Sequence, residues 1–487
     1  MNLLTDPWIP VQNGGRSALI TLKQVLCEDH DHRIALPRDD MELACLQLLI
    51  CLTQMLFLPD DASALRQRAR TPLTPDEYED GIQPYIDWFD LRHPETPFMQ
   101  IRGVKAKETT PIQKLFVGLP EGNNHAFFNE PGEITAIGEP AAAIALFNQA
   151  MNAPGFGGGF KDGIRGRAPI TTFMSGPRLR QTIWINVLHK QSLLEILPDH
   201  ERLVSRDRPV WVEPIKAKAR ISAQEIGVLR GLFWQPAHVE LVFSREPARC
   251  ALTGEWVEEP VTGFLKEKFV YDLVGDWIHP HSPRVVDLKK GTIKYLSFTT
   301  TAPAWTQLDH LLVASEDQKT GHRPAEVVRQ FRRDLARSDQ LIVGGYRNKQ
   351  ASILQRRHEF FPLRPGWDNK GEQIARLVGT ALEIKTQLRN KLFGFAKASG
   401  ATGVNEKAEA LYYHQSEPLI HATLREIDWS EAGGTIDRLR DDLIRLSWEI
   451  FCQVTRPYAH EPKMIEALAR AKRNLAGAFK QLQGDRP

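Results

Sequence analysis

The stretch Ala153 to Arg167 reads APGFGGGFKDGIRGR, six glycines in fifteen residues. Lys161, Arg165 and Arg167 are interleaved with them, and Asp162 is the single acid. Glycine lacks a Cβ, so such a loop can take positive φ and lie closely against another surface. It also weakens any helix or strand that contains it. Two readings follow: a flexible surface turn, or a backbone brought close to a polyanion that the cations attract.

A second basic block spans Lys319 to Arg357, with ten Lys or Arg against Glu326, Asp334 and Asp339. Arg329, Arg332, Arg333 and Arg337 lie at helical spacings. That suits a phosphate-tracking face and equally a solvated helix face. The block includes GGYRNKQASILQRR, where two glycines allow a tight turn that projects Asn348, Lys349 and Gln350. Amide side chains donate and accept, so they can meet base edges or fill the space of a displaced base. In TGFLKEKF, Thr262 to Phe269, a strand would put Lys266 and Lys268 on one face and Glu267 on the other. NNHAFFNEPGE, Asn123 to Glu133, sets Phe127 and Phe128 beside Asn129, as a binding loop or as core positions.

Catalytic signatures are missing. There is no G-x-x-x-x-G-K-[ST], no G-x-S-x-G and no H-E-x-x-H. The run Cys27-Glu28-Asp29-His30-Asp31-His32 mimics a metal site, but ligands this dense rarely converge on one ion, so a polar exposed loop is expected. His279 and His281 flank a proline and read as turn residues; His238, in WQPAHVE, reads as a core or strand histidine. No nucleophile–base pair follows from spacing, so neither an enzyme nor a cofactor is expected.

The elements that must position these groups are legible in outline. With 487 residues, two or more domains are expected. Hydrophobic content of 42% and charged content of 25% fit a globular protein. Sixty-two Lys and Arg against sixty Asp and Glu leave a net charge of +2, so any nucleic-acid role must rest on local clusters. Five cysteines without a C-x-x-C pair suggest a reduced, cytoplasmic protein. MNLLTDPWIPV has neither the positive start nor the apolar core of a signal peptide. Met41 to Leu58 is apolar but interrupted by Glu42, Gln47, Thr53 and Gln54, so a buried helix is expected, capped by Asp39 or Asp40, and no membrane span.

Residues 1 to 365 are punctuated by Gly and Pro and predict an irregular α+β domain. Strand-like runs include Thr182–Val187 and Val239–Phe243, with hairpin-like pieces at Phe269–Trp277 and Arg284–Phe298. After Pro365-Gly366 the pattern becomes helical: about 370–399, 404–427, 429–455 and 461–483. Leu377, Leu382 and Leu388 mark the first apolar face, and Leu439, Leu443, Leu446 and Ile450 the third. Short loops between four such helices predict an antiparallel four-helix bundle over 366–487.

Longer strings carry a family resemblance over nearly the whole chain. They are MNLLTDPWIPV, LPRDDMELA, ETPFMQIRGVKA, ALFNQAMNAPGFGGGFK, LRGLFWQPAHVEL, TGFLKEKF, GGYRNKQASILQRRHE and PYAHEPK. Together they resemble the CasA family, the large subunits of the type I-E CRISPR surveillance complex, Cascade. The resemblance implies an α+β domain followed by a four-helix bundle. It implies a non-catalytic subunit that reads a short protospacer-adjacent motif in double-stranded DNA through the minor groove. Such a subunit promotes duplex opening for the guide RNA and docks a separate helicase–nuclease.

The implied roles fall on individual residues. The groove contact of the glycine loop falls on Gly158, within Gly157 to Gly159. The lysine finger matches Lys268, and the wedge glutamine matches Gln350. Phe127 and Asn129 match a loop near the guide-RNA 5′ end, and Lys289 and Lys290 a basic pair near DNA. Two departures stand out. The positions that hold a structural zinc in some members read Gly138, Ala141, Cys250 and Thr253, so no metal is expected. The position beside the wedge, Asn in other members, is Lys349. The competing classes are a phosphate-ligand enzyme using the glycine loop and a general single-strand binder using Phe127 and the basic block.

Overall fold

The computed structural model describes residues 1–119, 132–335, 339–460 and 462–484. The chain forms two compact units. The first contains Met1–Thr299, Ala314–Leu335 and Leu341–Phe360. The second contains chiefly Thr300–Val313 and the chain from Phe361 onward.

At the centre of the first unit runs the helix Asp39–Leu56, buried on nearly every side from Asp40 to Gln54. A helix apolar all round belongs inside a protein or a membrane. Here it is packed by the helices Glu139–Met151 and Leu179–Ile185. No described helix is long and apolar enough to cross a membrane. The expected aspartate cap is corrected: Arg38 holds the capping position with no side-chain bond, and Asp40 turns inward. Asp39 and Asp40 still sit in the first turn, where a carboxylate suits the helix dipole.

Small sheets make up much of the rest of the unit. Val261–Glu267 lies between Thr110–Pro111 and His238–Phe243, antiparallel to both. Ser352–Leu363, Asp339–Lys349 and Thr171–Ser175 form a second three-stranded sheet in that order. Arg284–Asp287 pairs antiparallel with Ile293–Tyr295, as the hairpin pattern predicts. Two other strand readings are corrected. Asp272–Val274 makes no hairpin within Phe269–Trp277 and pairs parallel with Arg220–Ser222. The run Thr182–Val187 falls mostly in the helix Leu179–Ile185, where Ile183, Trp184 and Ile185 are buried. Packing overrides β propensity there.

The second unit carries four long helices: Gly371–Ser399, Val404–Glu426, Ala432–Thr455 and Pro462–Gly484. The first packs against each of the other three. Its buried stripe runs through Leu377, Ala381, Ile384 and Leu388, at three- and four-residue steps; Leu382 is only half-buried. Leu439, Leu443, Leu446 and Ile450 are buried as their spacing predicts. Gly400, at φ 77°, ends the first helix in the left-handed conformation. The unit also includes the short helix Leu308–Leu312, packed on Gly371–Ser399.

Candidate functional site

The glycine-rich loop leaves the helix Glu139–Met151 and enters the strand Thr171–Ser175. Gly157, Gly158 and Gly159 have φ of 81°, 56° and 89°, so three consecutive residues occupy a region that side chains disfavour. Gly155 has a different constraint: a Cβ there would stand 2.5 Å from the Lys161 carbonyl oxygen. The loop is internally braced. Asp162 Oδ1 accepts from the Gly155 amide at 3.0 Å and from Arg167 Nε at 3.2 Å.

The cations of the loop are engaged by the protein's own groups, Arg167 at the surface. Lys161 lies over the Tyr271 ring, and Arg167 pairs with Asp162. Arg165 is only 2% exposed. Its guanidinium donates to Thr171 Oγ1, Ser282 Oγ, the Met151 carbonyl and Asn152 Oδ1, all uncharged. Burial pulls this guanidinium down to about 10. Arg165 therefore pins the loop to the core.

Lys268 follows the strand Val261–Glu267 and reaches the loop. Its Nζ donates to the Gly158 carbonyl oxygen at 2.9 Å, and a Cβ on Gly159 would stand 3.5 Å from the same nitrogen. Lys266 points the same way, with its ammonium 5.3 Å from the centre of the Phe156 ring. Both lysines face the loop, as strand alternation predicts, while Glu267 accepts from the Lys105 amide. Phe156 also packs against Phe160 and Phe264. Phe156, in the loop, and Phe264, in the strand Val261–Glu267, escaped the sequence reading because a lone phenylalanine carries no chemical signal of its own.

Gln350 and Ala351 form the turn between Asp339–Lys349 and Ser352–Leu363. Gln350 has φ 54° and is exposed. Asn348 Nδ2 donates to its carbonyl oxygen at 2.6 Å, which braces the turn backbone. The neighbouring Ala351 meets the glycine loop: a Cβ on Gly157 would stand 3.4 Å from Ala351 Cβ. The fold thus brings Gly157 to Gly159, Lys268 and the Gln350 turn to one place from three distant parts of the sequence.

Other expected residues lie elsewhere. Lys349 is exposed at the end of its strand. Lys289 and Lys290 are exposed on the turn after Arg284–Asp287, with both amides donating to Asp287 Oδ1. Phe127 and Asn129 fall outside the described residues. Arg329 and Arg333 make no phosphate-tracking face: Arg329 binds Glu195 and Glu326, and Arg333 binds Glu195 and Asp334. Arg337 lies outside the described residues.

Histidines and cysteines take structural places. His238 stacks on Phe269 with ring centres 4.2 Å apart. His279 and His281 are fully buried, and burial beside Arg165 holds both imidazoles well below their usual range. Asp29 of the acidic loop binds Arg178 and Arg180. Among the described residues no group of three His, Cys, Asp or Glu is placed to hold a metal. A Cβ on Gly138 would stand 4.0 Å from the buried Cys250 Sγ, so those two positions are neighbours. Ser192, His189 and Asp334 meet, yet they form no nucleophile–base pair. His189 Nδ1 accepts from the Ser192 amide, so its proton sits on Nε2, facing Asp334 at 3.0 Å. No ring lone pair is left for the Ser192 hydroxyl, and the imidazole serves as the cap of helix Lys190–Ile196.

Comparison with known proteins decides the family. A family model described as CRISPR-associated protein Cse1 matches residues 2–450. The chain belongs to the Cse1 family. A curated member, CRISPR-associated protein CasA/Cse1 of Thermus thermophilus, is 26% identical over 465 residues, covering 90% of this chain and 86% of that protein. The solved structure of Thermus thermophilus CasA (Cse1) superposes with a TM-score of 0.76 at 19% identity, over 99% of both chains. Thermobifida fusca Cse1 superposes at 0.77 with 18% identity, over 99% of this chain and 98% of that one. A chain from a structure described as a CRISPR RNA-guided surveillance complex superposes at 0.71 with 16% identity, over 98% of this chain and 99% of that one. The Cse1 fold therefore extends across both units.

Proposed function

We propose that this chain is the large, non-catalytic subunit of a cytoplasmic RNA-guided DNA surveillance complex, and that it reads a short duplex motif. Its residues 1–365 act as the α+β motif-reading domain, and residues 366–487 as a four-helix bundle. The observation that carries the reading is the convergence of Gly158, Lys268 and the Gln350 turn. Nothing local in the sequence requires these segments to meet.

Each part has a physical role. Gly158 is exposed, and a Cβ placed on it would have no neighbour within 4 Å, so its backbone can enter a narrow groove. The Lys268 ammonium has three donors, and the Gly158 carbonyl takes one. Two remain for minor-groove acceptors, purine N3 or pyrimidine O2. These look alike in A·T and T·A pairs, so several related motifs are tolerated. Gln350, held at a turn tip, wedges into the duplex and replaces lost stacking, against roughly a few kcal/mol per opened step. Protein then reads the motif while guide RNA reads the remaining sequence.

Lys349, Lys289 and Lys290 support DNA binding, and Phe127 with Asn129 meets the guide RNA. The partners are target duplex, guide RNA, the other Cascade subunits and a helicase–nuclease recruited in trans. The test uses the assembled complex with Lys268→Ala and Gln350→Ala. Both weaken capture of motif-bearing duplex and leave assembly intact. Wild-type capture by both variants would overturn the site assignment, and equal affinity for arbitrary single strands would favour a general single-strand binder.

A further inference from the structure

A chain of buried polar groups links the strands behind Gln350 to the glycine loop. Tyr346, four residues before Gln350, is 1% exposed. Its hydroxyl donates to Asp40 Oδ2 at 2.9 Å and accepts from Asn148 Nδ2 at 2.8 Å. Asn148 Oδ1 accepts from Asn152 Nδ2 at 3.1 Å, and Asn152 Oδ1 accepts from Arg165, the residue that pins the loop. On the other side, Arg38 grips Asp40 through both carboxylate oxygens, at 3.0 and 2.7 Å. Arg38 also donates to the Val117 carbonyl at 2.9 Å, shortly before the segment that carries Phe127 and Asn129. Packing follows the same route: Ala153 and Ala168, the two ends of the loop, form one buried cluster with Tyr346 and Val117.

A buried carboxylate and a buried phenol tolerate few alternative arrangements, because each lost partner leaves a desolvated group unpaired. We infer that Asp40 and Tyr346 are positioning residues that hold the glycine loop and the Gln350 turn in one register, so that motif contact and wedging act together. This inference rests on the motif-reading function proposed above. Neither residue touches DNA in it. The central helix supplies the fixed point, since Asp40 lies in its first turn, is buried, and accepts from the Tyr346 hydroxyl.

The experiment is a Tyr346→Phe complex, which keeps the ring packing and removes the hydroxyl link. Three guide-matched duplexes serve as probes: one with the motif selected by the wild-type complex, one without it, and one with the motif region already opened. Tyr346→Phe lowers the affinity ratio between motif-bearing and motif-free duplex by roughly five- to tenfold, the effect of one or two buried hydrogen bonds. Affinity for the opened duplex stays at the wild-type level. Asp40→Asn, which keeps the shape of the side chain, behaves the same way and guards against an effect peculiar to the phenylalanine. An equal loss on all three duplexes would overturn the inference, because it would mark a structural role only. So would an unchanged ratio in Tyr346→Phe while Gln350→Ala and Lys268→Ala reduce it. If those two controls leave the ratio unchanged as well, the motif-reading function itself fails.

Discussion

The ammonium of Lys268 donates to the carbonyl oxygen of Gly158 across 110 residues of sequence. That bond fixes a flexible side chain against an exposed backbone. A lysine has much rotamer freedom to lose on binding, and part of that loss is already borne in the folded chain. Lys268→Met keeps the stem and removes the donor. The variant assembles normally and releases motif-bearing duplex faster, measured as a raised dissociation rate at fixed salt.

Gly158→Val separates local strain from recognition. Its φ of 56° costs a β-branched side chain about 1–2 kcal/mol, while no neighbour clashes with the new Cβ. The expected result is a small drop in the unfolding midpoint and loss of motif-dependent binding. Motif discrimination retained by Gly158→Val would show that the loop is only a turn.

Gln350 gives the opposite pairing of stability and function. It sits at φ 54°, a conformation that glycine adopts without strain. Gln350→Gly therefore leaves the thermal midpoint unchanged or higher and removes the wedging amide. Capture of closed duplex falls roughly tenfold while opened duplex binds as before. Calorimetry and a binding assay on the same preparation check both halves.

Arg165 carries stability, not DNA affinity. Arg165→Met keeps the length of the side chain and leaves Asn152, Thr171, Ser282 and the Met151 carbonyl short of a donor. The expected destabilisation is about 3 kcal/mol, read from urea unfolding. Its effect on binding follows the fraction folded and shows no change in salt dependence, since the guanidinium faces no phosphate.

The buried histidines set a pH dependence. His279 and His281 stay neutral in the folded chain well below 6.5, the value at which the unfolded residues titrate. The unfolded chain therefore takes up more protons as pH falls through 6.5, and stability falls with it. Above 6.5 both states are neutral and this contribution is flat. The slope below 6.5 reaches about 2.7 kcal/mol per pH unit for the pair. His200, His238 and His358, also depressed by burial, add in the same direction. Urea midpoints between roughly pH 5.5 and 7.5 measure it, above the range where ordinary carboxylates titrate. His281→Gln lowers the slope; an unchanged slope would remove the buried pair as its source.

Much of the fold is legible in the sequence. The apolar run Met41–Leu58 announced a buried helix, and the leucine spacing at Leu439, Leu443, Leu446 and Ile450 announced an amphipathic one, because both signals are local and periodic. Local signals failed where packing decides. TIWINV is rich in β-branched residues, yet it is mostly helical because three of its side chains fit against neighbouring helices. The charge pattern at Arg329 and Arg333 matched a phosphate-binding face equally well, and only the position of Glu195, more than a hundred residues away, resolved it.

The sequence by itself determined the residue types of the proposed reader: glycines that admit positive φ, a lysine at the end of an alternating strand, and an amide at a tight turn. Those properties belong to single residues and their immediate neighbours. Only the tertiary structure decided which charges face outward. It sent Arg165 into the core and set Lys161 on Tyr271, while it brought Lys268 to Gly158 and Ala351 to Gly157. The reason is that a cation's partner is chosen by distance in space, and long-range packing of the central helix and its sheets sets that distance.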